Sequence, residues 1–200
     1  MQDSLAAFVL AGGKSTRMGT DKAFVEFDGR TLLARALEVT RLVTSDVRIV
    51  GDAAKFAGFA PVVEDVFREC GPLAGIHAAL QASSAELNLI LAVDVPFVPP
   101  GLLGHLVERA RSSDAIATVP RAEGGWQPLC AVYRREFAAA AEKALRTGRY
   151  KIDALFDVVP TQRVGEEELM ASGFSCGMFR NLNTPEELEA AIGNRGGNSF

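Results

Sequence analysis

Histidine occurs twice in this 200-residue chain, cysteine three times and tryptophan once. Each shortage removes a class of chemistry. Cys70, Cys130 and Cys176 are odd in number, widely separated and outside any C-x-x-C spacing, so neither a disulfide framework nor a zinc site is indicated. His77 and His105 fall in helical patterns on separate segments, with no spacing that suits a metal pair or a catalytic dyad. No Ser/His/Asp or Cys/His set for covalent catalysis is apparent. Positive charge is not in excess: 21 Lys and Arg stand against 25 Asp and Glu, a net of -4, which gives no general attraction to nucleic acid or anionic membrane. The apolar run Leu5 to Ala11 is too short to span a bilayer, and Met1-Gln2-Asp3-Ser4 lacks the basic region of a secretion signal. A cytoplasmic protein that uses neither nucleic acid nor membrane is expected. Internal repeats, linkers, low-complexity stretches and hexapeptide β-helix arrays are also missing, so residues 1–192 are expected to form one domain, with 193–200 a disordered tail.

What is present is an alternation of short β-rich runs with segments of helical period, the pattern of an α/β domain with a mainly parallel sheet. Strands are predicted at Leu5 to Leu10, Val47 to Val50, Pro61 to Val63, Leu87 to Val93, Ala115 to Val119, Leu129 to Tyr133 and Val158 to Val164. Several are apolar throughout, as strands covered on both faces should be. Helices are predicted at Thr31 to Val43, Leu73 to Ala82, Leu102 to Arg111 and Glu136 to Arg146, the first with Leu33, Ala36, Leu37 and Thr40 on one face. Thr184-Pro185-Glu186-Glu187 reads as a capped entry to a last helix ending near Ile192.

The first strand runs straight into Ala11-Gly12-Gly13-Lys14-Ser15-Thr16-Arg17-Met18-Gly19-Thr20-Asp21-Lys22. In a parallel sheet ligands sit beyond the carboxyl ends of the strands. Glycines let backbone N–H groups approach phosphate oxygens, and Lys14, Arg17 and Lys22 add local charge to an acidic chain, so the loop has the composition of a phosphate cradle. It is not a P-loop, because the required first glycine falls at Phe8 inside the strand, and Gly12, Gly13 and Gly19 have the wrong spacing for a dinucleotide fingerprint. Asp94 closes the buried run Leu89 to Val93 and faces the same edge, where an aspartate can hold Mg2+ while waters and substrate phosphates complete its shell. A turn or N-cap aspartate is the competing reading. Asp153 is the weaker second candidate, since a carboxylate there more often caps a helix. Trp126, in the loop Gly124 to Pro128, is either a hydrophobic anchor or a stacking surface for an acceptor ring. Arg149 and Lys151 can hold an acceptor phosphate or simply be solvated cations.

Leu10-Ala11-Gly12-Gly13-x-Ser15-x-Arg17-Met18-Gly19-x-Asp21-Lys22 resembles the signature loop of the molybdenum cofactor guanylyltransferase family, within the wider group of α/β nucleotidyltransferases. Glu64-Asp65, Gly71-Pro72-Leu73-Ala74-Gly75, Asp94-Val95-Pro96 and Asn181-Leu182-Asn183-Thr184-Pro185 continue the resemblance over nearly the whole chain. It implies a three-layer αβα, Rossmann-like nucleotidyltransferase domain with a mostly parallel mixed sheet. The implied reaction is Mg2+-dependent transfer of GMP from GTP to molybdopterin, with release of pyrophosphate. Arg17, Lys22 and Asp94 are then catalytic, with Asp94 the metal ligand. Leu10, Ala11, Gly12, Gly13, Lys22, Asp65, Gly71, Pro72, Leu73, Asp94, Asn181 and Asn183 are implied to bind substrates. Asn181 and Asn183 flank Leu182 on one side of an extended segment and offer donors and acceptors for a pterin edge. A monomer or weak oligomer in transient contact with cofactor-biosynthesis or acceptor proteins is the matching expectation. Two alternatives stay open: cytidylyl transfer to molybdopterin or a sugar-like phosphate, against which Gly12 argues, and a nucleotide-binding accessory protein without turnover.

Overall fold

The computed structural model describes residues 4–12, 21–67, 70–182 and 187. In chain order its elements are β1 (Leu5–Leu10), β2 (Glu26–Phe27), β3 (Arg30–Thr31), α1 (Leu32–Arg41), β4 (Val47–Val50), α2 (Ala53–Phe56), β5 (Val62–Val63), α3 (Pro72–Ala82), β6 (Leu87–Ala92) and α4 (Pro100–Arg111). Then follow β7 (Ala117–Ala122), β8 (Gly125–Trp126), β9 (Cys130–Arg134), α5 (Phe137–Arg146), β10 (Thr161–Val164) and α6 (Glu166–Ala171). The main sheet runs β10-β7-β9-β6-β1-β4-β5, with β8 paired to β7. β1 is parallel to β4 and β6, β4 to β5 and β10 to β7, while β9 is antiparallel to both its neighbours. This is the mixed, mostly parallel sheet expected from the alternating pattern.

Alternation along β1 sorts the core into two layers. Ala7 and Val9 face a cluster built with Leu33 and Leu37 of α1 and Leu102, Leu103 and Leu106 of α4. Ala6, Phe8 and Leu10 face the other, with Leu73 and Ile76 of α3 and Phe137 and Ala141 of α5. Both faces of β1 and β6 are therefore covered, and burial on two sides selects the unbroken apolar runs seen there. Thr31 caps α1 by accepting from the Ala34 N–H at 3.1 Å, and Pro72 and Pro100 begin α3 and α4, where a missing N–H costs no helical bond.

Strand positions differ from the sequence reading by one to three residues at β5, β6, β7, β9 and β10. Two hairpins were not foreseen. β2 and β3 are joined by Asp28 and Gly29 at φ 55° and 72°, and β7 and β8 by Glu123 and Gly124 at φ 54° and 75°. Two successive left-handed residues turn an antiparallel pair tightly, so the segment around Trp126 is half strand rather than open loop. Of the helix expected from Thr184 to Ile192 only Glu187 is among the described residues, and it is helical; the tail 193–200 lies outside them.

α3 lies close on the sheet because Gly75 leaves room: a Cβ there would meet Leu10 Cδ2 at 3.5 Å and Val50 Cγ1 at 3.7 Å. Gly75→Ala fits this space and is expected to be neutral or mildly stabilising, since alanine is the better helix former. Gly75→Leu overpacks the layer at a cost of about 1–3 kcal/mol, a fall of several degrees in Tm by calorimetry. Equal Tm values for the two variants would contradict this packing.

His77, on α3, is buried beside the Phe67 ring, and neither ring nitrogen has a hydrogen-bond partner. Burial lowers its pKa from the ordinary 6.5, opposed by Glu142 and Asp65 and assisted by Arg146. The unfolded chain therefore takes up a proton that the folded chain resists. Stability is full above pH 6.5 and declines as pH falls through that value toward the lower folded pKa. In urea titrations His77→Phe is expected to gain on the wild type between about pH 7.5 and 5.5; a difference constant with pH would exclude this origin.

Candidate active site

Strand pairing continues one residue past the ends of the central strands. The Ala11 N–H donates to the Val50 carbonyl at 3.0 Å, Gly51 N–H to Val63 at 3.0 Å, and Val93 N–H to Leu10 at 3.2 Å. Three chain exits, after Leu10, Val50 and Ala92, thus meet at one carboxyl edge. Gly12 and Gly51 are neighbours there, and a Cβ on Gly51 would sit 2.8 Å from the Phe56 ring, so no side chain fits. The edge has a backbone floor open to a ligand.

Across this floor Lys22 Nζ donates to Asp94 Oδ2 at 2.8 Å, with side chains 15% and 21% exposed. Both partners are placed by their surroundings. Asp21 accepts from the Ala23 N–H at 3.2 Å through one oxygen and from Lys55 Nζ at 2.8 Å through the other, fixing the short turn Lys22–Phe24. Phe24 then stacks on Phe56, centroid to centroid at 5.7 Å. On the other side the Leu182 N–H donates to the Asp94 carbonyl at 2.9 Å, which lays Asn181, exposed, beside the aspartate loop. Asp94 Oδ1 is buried without a hydrogen-bond partner. A buried unsatisfied carboxylate oxygen is costly and suits a hard cation. Among the described residues no three His, Cys, Asp or Glu converge, so a cation at Asp94 would take its remaining ligands from water and phosphate.

Asp65 follows β5 at the same edge, half-buried, with Oδ1 accepting from the Phe67 N–H at 2.8 Å. Burial raises its pKa. Gly71 has φ 72°, a conformation that favours glycine, and turns the chain into α3 with Pro72 exposed and Leu73 buried. Its helix N-terminus has no side-chain cap. The structure thus gathers Leu10, Ala11, Gly12, Lys22 and Asp94 directly, joined by Asn181, with Asp65 and Gly71 to Leu73 beyond the neighbouring strands. Gly13, Arg17 and Asn183 lie outside the described residues. Asp153 opens the turn Asp153–Leu155, the helix-start position. His105 pairs with Glu168 at 3.3 Å, away from this edge.

Lys55 had no signal in the linear sequence, because its partner Asp21 is 34 residues away. Arg121 was equally hidden: its guanidinium lies 5.7 Å over the Trp126 ring, whose other neighbour is Phe156 at 5.0 Å. Trp126 is half-buried against Phe156 and packs on the cluster between the sheet and α5, which fits the reading of it as an anchor.

The model of the MobA-like NTP transferase domain matches residues 7–163. A molybdenum cofactor guanylyltransferase of Desulfosudis oleivorans is 34% identical over 94% of this chain and 95% of its own. A probable molybdenum cofactor guanylyltransferase of Pelotomaculum thermopropionicum is 36% identical over 92% and 89%. The crystal structure of molybdopterin-guanine dinucleotide biosynthesis protein A from Archaeoglobus fulgidus superimposes with a TM-score of 0.84 at 28% identity, covering 96% of this chain and 99% of that one. With Lys22 and half-buried Asp94 meeting at the edge of a mixed sheet, the chain belongs to the MobA-like NTP transferase family and is a nucleotidyltransferase.

Proposed function

We propose that this enzyme transfers GMP from GTP to the phosphate of molybdopterin, releasing pyrophosphate and forming molybdopterin guanine dinucleotide, with Mg2+ as cofactor. The observation that carries the reading is the Lys22–Asp94 pair with its unsatisfied Asp94 oxygen, set at the exit of the glycine loop. The choice of guanylate and of molybdopterin rests on the relatives named guanylyltransferases and on Gly12 and the Gly71 to Gly75 segment.

In this reading Leu10, Ala11, Gly12 and Gly13 carry the nucleotide phosphates, and Asp65 with Gly71 to Leu73 forms the base and ribose side. Asp94 would hold Mg2+, which when bound supplies charge neutralisation on the phosphate oxygens. The acceptor phosphate is already ionised near neutral pH, so one of its oxygens attacks the α-phosphorus without a protein base. A new P–O bond forms as the bond from the α-phosphorus to the bridging oxygen breaks, and its electron pair leaves with pyrophosphate. Lys22 and Arg17 take up the charge that develops on the leaving group. Asn181 and Asn183 meet the pterin end of the acceptor.

Asp94→Asn keeps the shape and removes the charge. Turnover is expected to fall by about a hundredfold or more, with a loss of the Mg2+ dependence and a retained cooperative unfolding transition. Near-normal, Mg2+-dependent turnover in the variant would remove Asp94 from the metal site.

Nucleotide choice is tested with GTP and CTP in parallel, following pyrophosphate release with molybdopterin as acceptor. A pocket that hydrogen-bonds guanine leaves polar groups unpaired with cytosine, so kcat/KM is expected to favour GTP by about 100-fold or more. Equal or better use of CTP would assign the enzyme to cytidylyl transfer; nucleotide binding without pyrophosphate release would make it an accessory protein.

A further inference from the structure

Among the described residues seven arginines hold a carboxylate at ion-pair distance. Arg121, like Arg180 over Phe97 at 4.9 Å, is held differently. Arg121 is exposed, has no ion pair or side-chain hydrogen bond among the described residues, and lies with its guanidinium carbon 5.7 Å over the Trp126 ring. Trp126 is itself seated on Phe156, part of the buried cluster between the sheet and α5. Stacking orients a guanidinium without using its N–H donors, so the fork remains available for an anion. An exposed arginine on a mobile stem would not need an indole and a phenyl ring beneath it.

Its position is set by the sheet register. β7 and β8 pair through Arg121 and Trp126, and the Gln127 N–H donates to the Pro120 carbonyl at 2.9 Å. The Ala92 N–H donates to the Leu129 carbonyl at 2.8 Å, so the start of β9 lies between the end of β7 and the end of β6. Arg121 is thus two strands from β6, about 10 Å across the same carboxyl edge from the chain that leads into Asp94. It lies on the opposite side of β6 from β1 and its glycine loop. Arg121 also shares the sheet face of Ala117 and Val119, the face covered by α3 and α5, and so stands on the side where Gly71 opens α3.

We propose that Arg121 is an acceptor-binding residue that contacts an anionic group of the heterocyclic acceptor, and that Trp126 is the positioning residue that presents it. The inference rests on the proposed transfer to molybdopterin for the acceptor's identity. The placement of Arg121 itself follows from the register alone. Nucleotide is bound on the β1 and α3 side, and the acceptor spans the edge from Asp94 to the β7–β8 hairpin.

Trp126 is the only tryptophan in the chain, so its fluorescence reports this corner directly. Molybdopterin, prepared anaerobically, is titrated into the full-length protein without nucleotide, and steady-state transfer is measured separately with GTP and Mg2+. Wild-type emission is expected to be quenched by molybdopterin and unaffected by GTP–Mg2+. Arg121→Ala is expected to weaken molybdopterin binding in the titration, and to raise its KM in turnover, about tenfold or more, as for loss of a charge-assisted contact. The KM for GTP should move by less than about twofold. Arg121→Lys keeps the charge but not the planar stack and should recover part of the loss. Trp126→Phe, which keeps an aromatic seat, is expected to stay within about threefold of wild type by KM. Arg135→Ala, which removes the same charge at the opposite edge, should leave acceptor binding unchanged. Acceptor affinity in Arg121→Ala within twofold of wild type, or an equal loss toward GTP, would overturn the proposal. Quenching by molybdopterin with transfer of cytidylate instead of guanylate would refute the proposed base choice and leave Arg121 in place.

Discussion

β1 and β6 pair in parallel along their whole length, Leu5 against Leu87 through Leu10 against Ala92, and the Leu10 carbonyl then accepts from the Val93 N–H. This register brings two segments some eighty residues apart to one point. A shift of one residue would turn every side chain of β1 to the other face, exchanging Phe8 and Val9 between the two apolar layers. The layers therefore fix the register, and the register fixes the distance between the glycine loop exit and Asp94. The 2.8 Å contact of Lys22 with Asp94 is the last step of a chain of constraints that begins in the core.

Around that contact the polar groups divide by task. Asp21 uses both oxygens on the protein, one on Ala23 and one on Lys55, and so serves to hold the turn. Asp94 commits one oxygen to Lys22 and leaves the other buried and unsatisfied. A structural carboxylate has little reason to keep such an atom, whereas a metal ligand does. The lysine offsets the aspartate's charge, and in the proposed reading it would turn to phosphate when a cation shares the carboxylate.

Most of the architecture was legible because it depends on local signals. β1 and β4 were readable to the residue, since β1 is an unbroken apolar run, β4 is three β-branched residues around Arg48, and glycine follows closely after each. α1 was readable from Thr31 and the spacing of Leu33, Ala36, Leu37 and Thr40, all buried. The β2–β3 hairpin carried a clear mark in Asp28-Gly29 and was missed because strands of two residues show no periodicity. The second hairpin turns on Glu123-Gly124, and glutamate is an unusual residue at positive φ, so its sequence gave weak notice. At the site, Lys22 and Asp94 were nameable from composition and strand ends. The partners Lys55 and Arg121 were not, because each is defined by a side chain that meets it only in three dimensions.

The charge distribution bears on how an acidic nucleotidyltransferase could meet the anionic substrates proposed for it. A net charge of -4 disfavours phosphates at long range, so any attraction has to be built at short range. Away from the carboxyl edge the arginines are largely neutralised, as Arg134 by Glu86 and Arg146 by Glu142. At that edge Arg121 and Arg180 are instead held by rings, Arg180 4.9 Å over Phe97, three residues beyond Asp94. A ring fixes the direction of a guanidinium yet leaves its charge uncompensated, which an ion pair cannot do. Arg35, Arg48 and Arg146 lie over rings too but also hold a carboxylate, so what marks Arg121 and Arg180 is a ring contact with no counter-ion among the described residues. In the proposed reaction, local attraction for anions would then depend on which arginines lack a carboxylate partner, and not on the number of arginines in the chain.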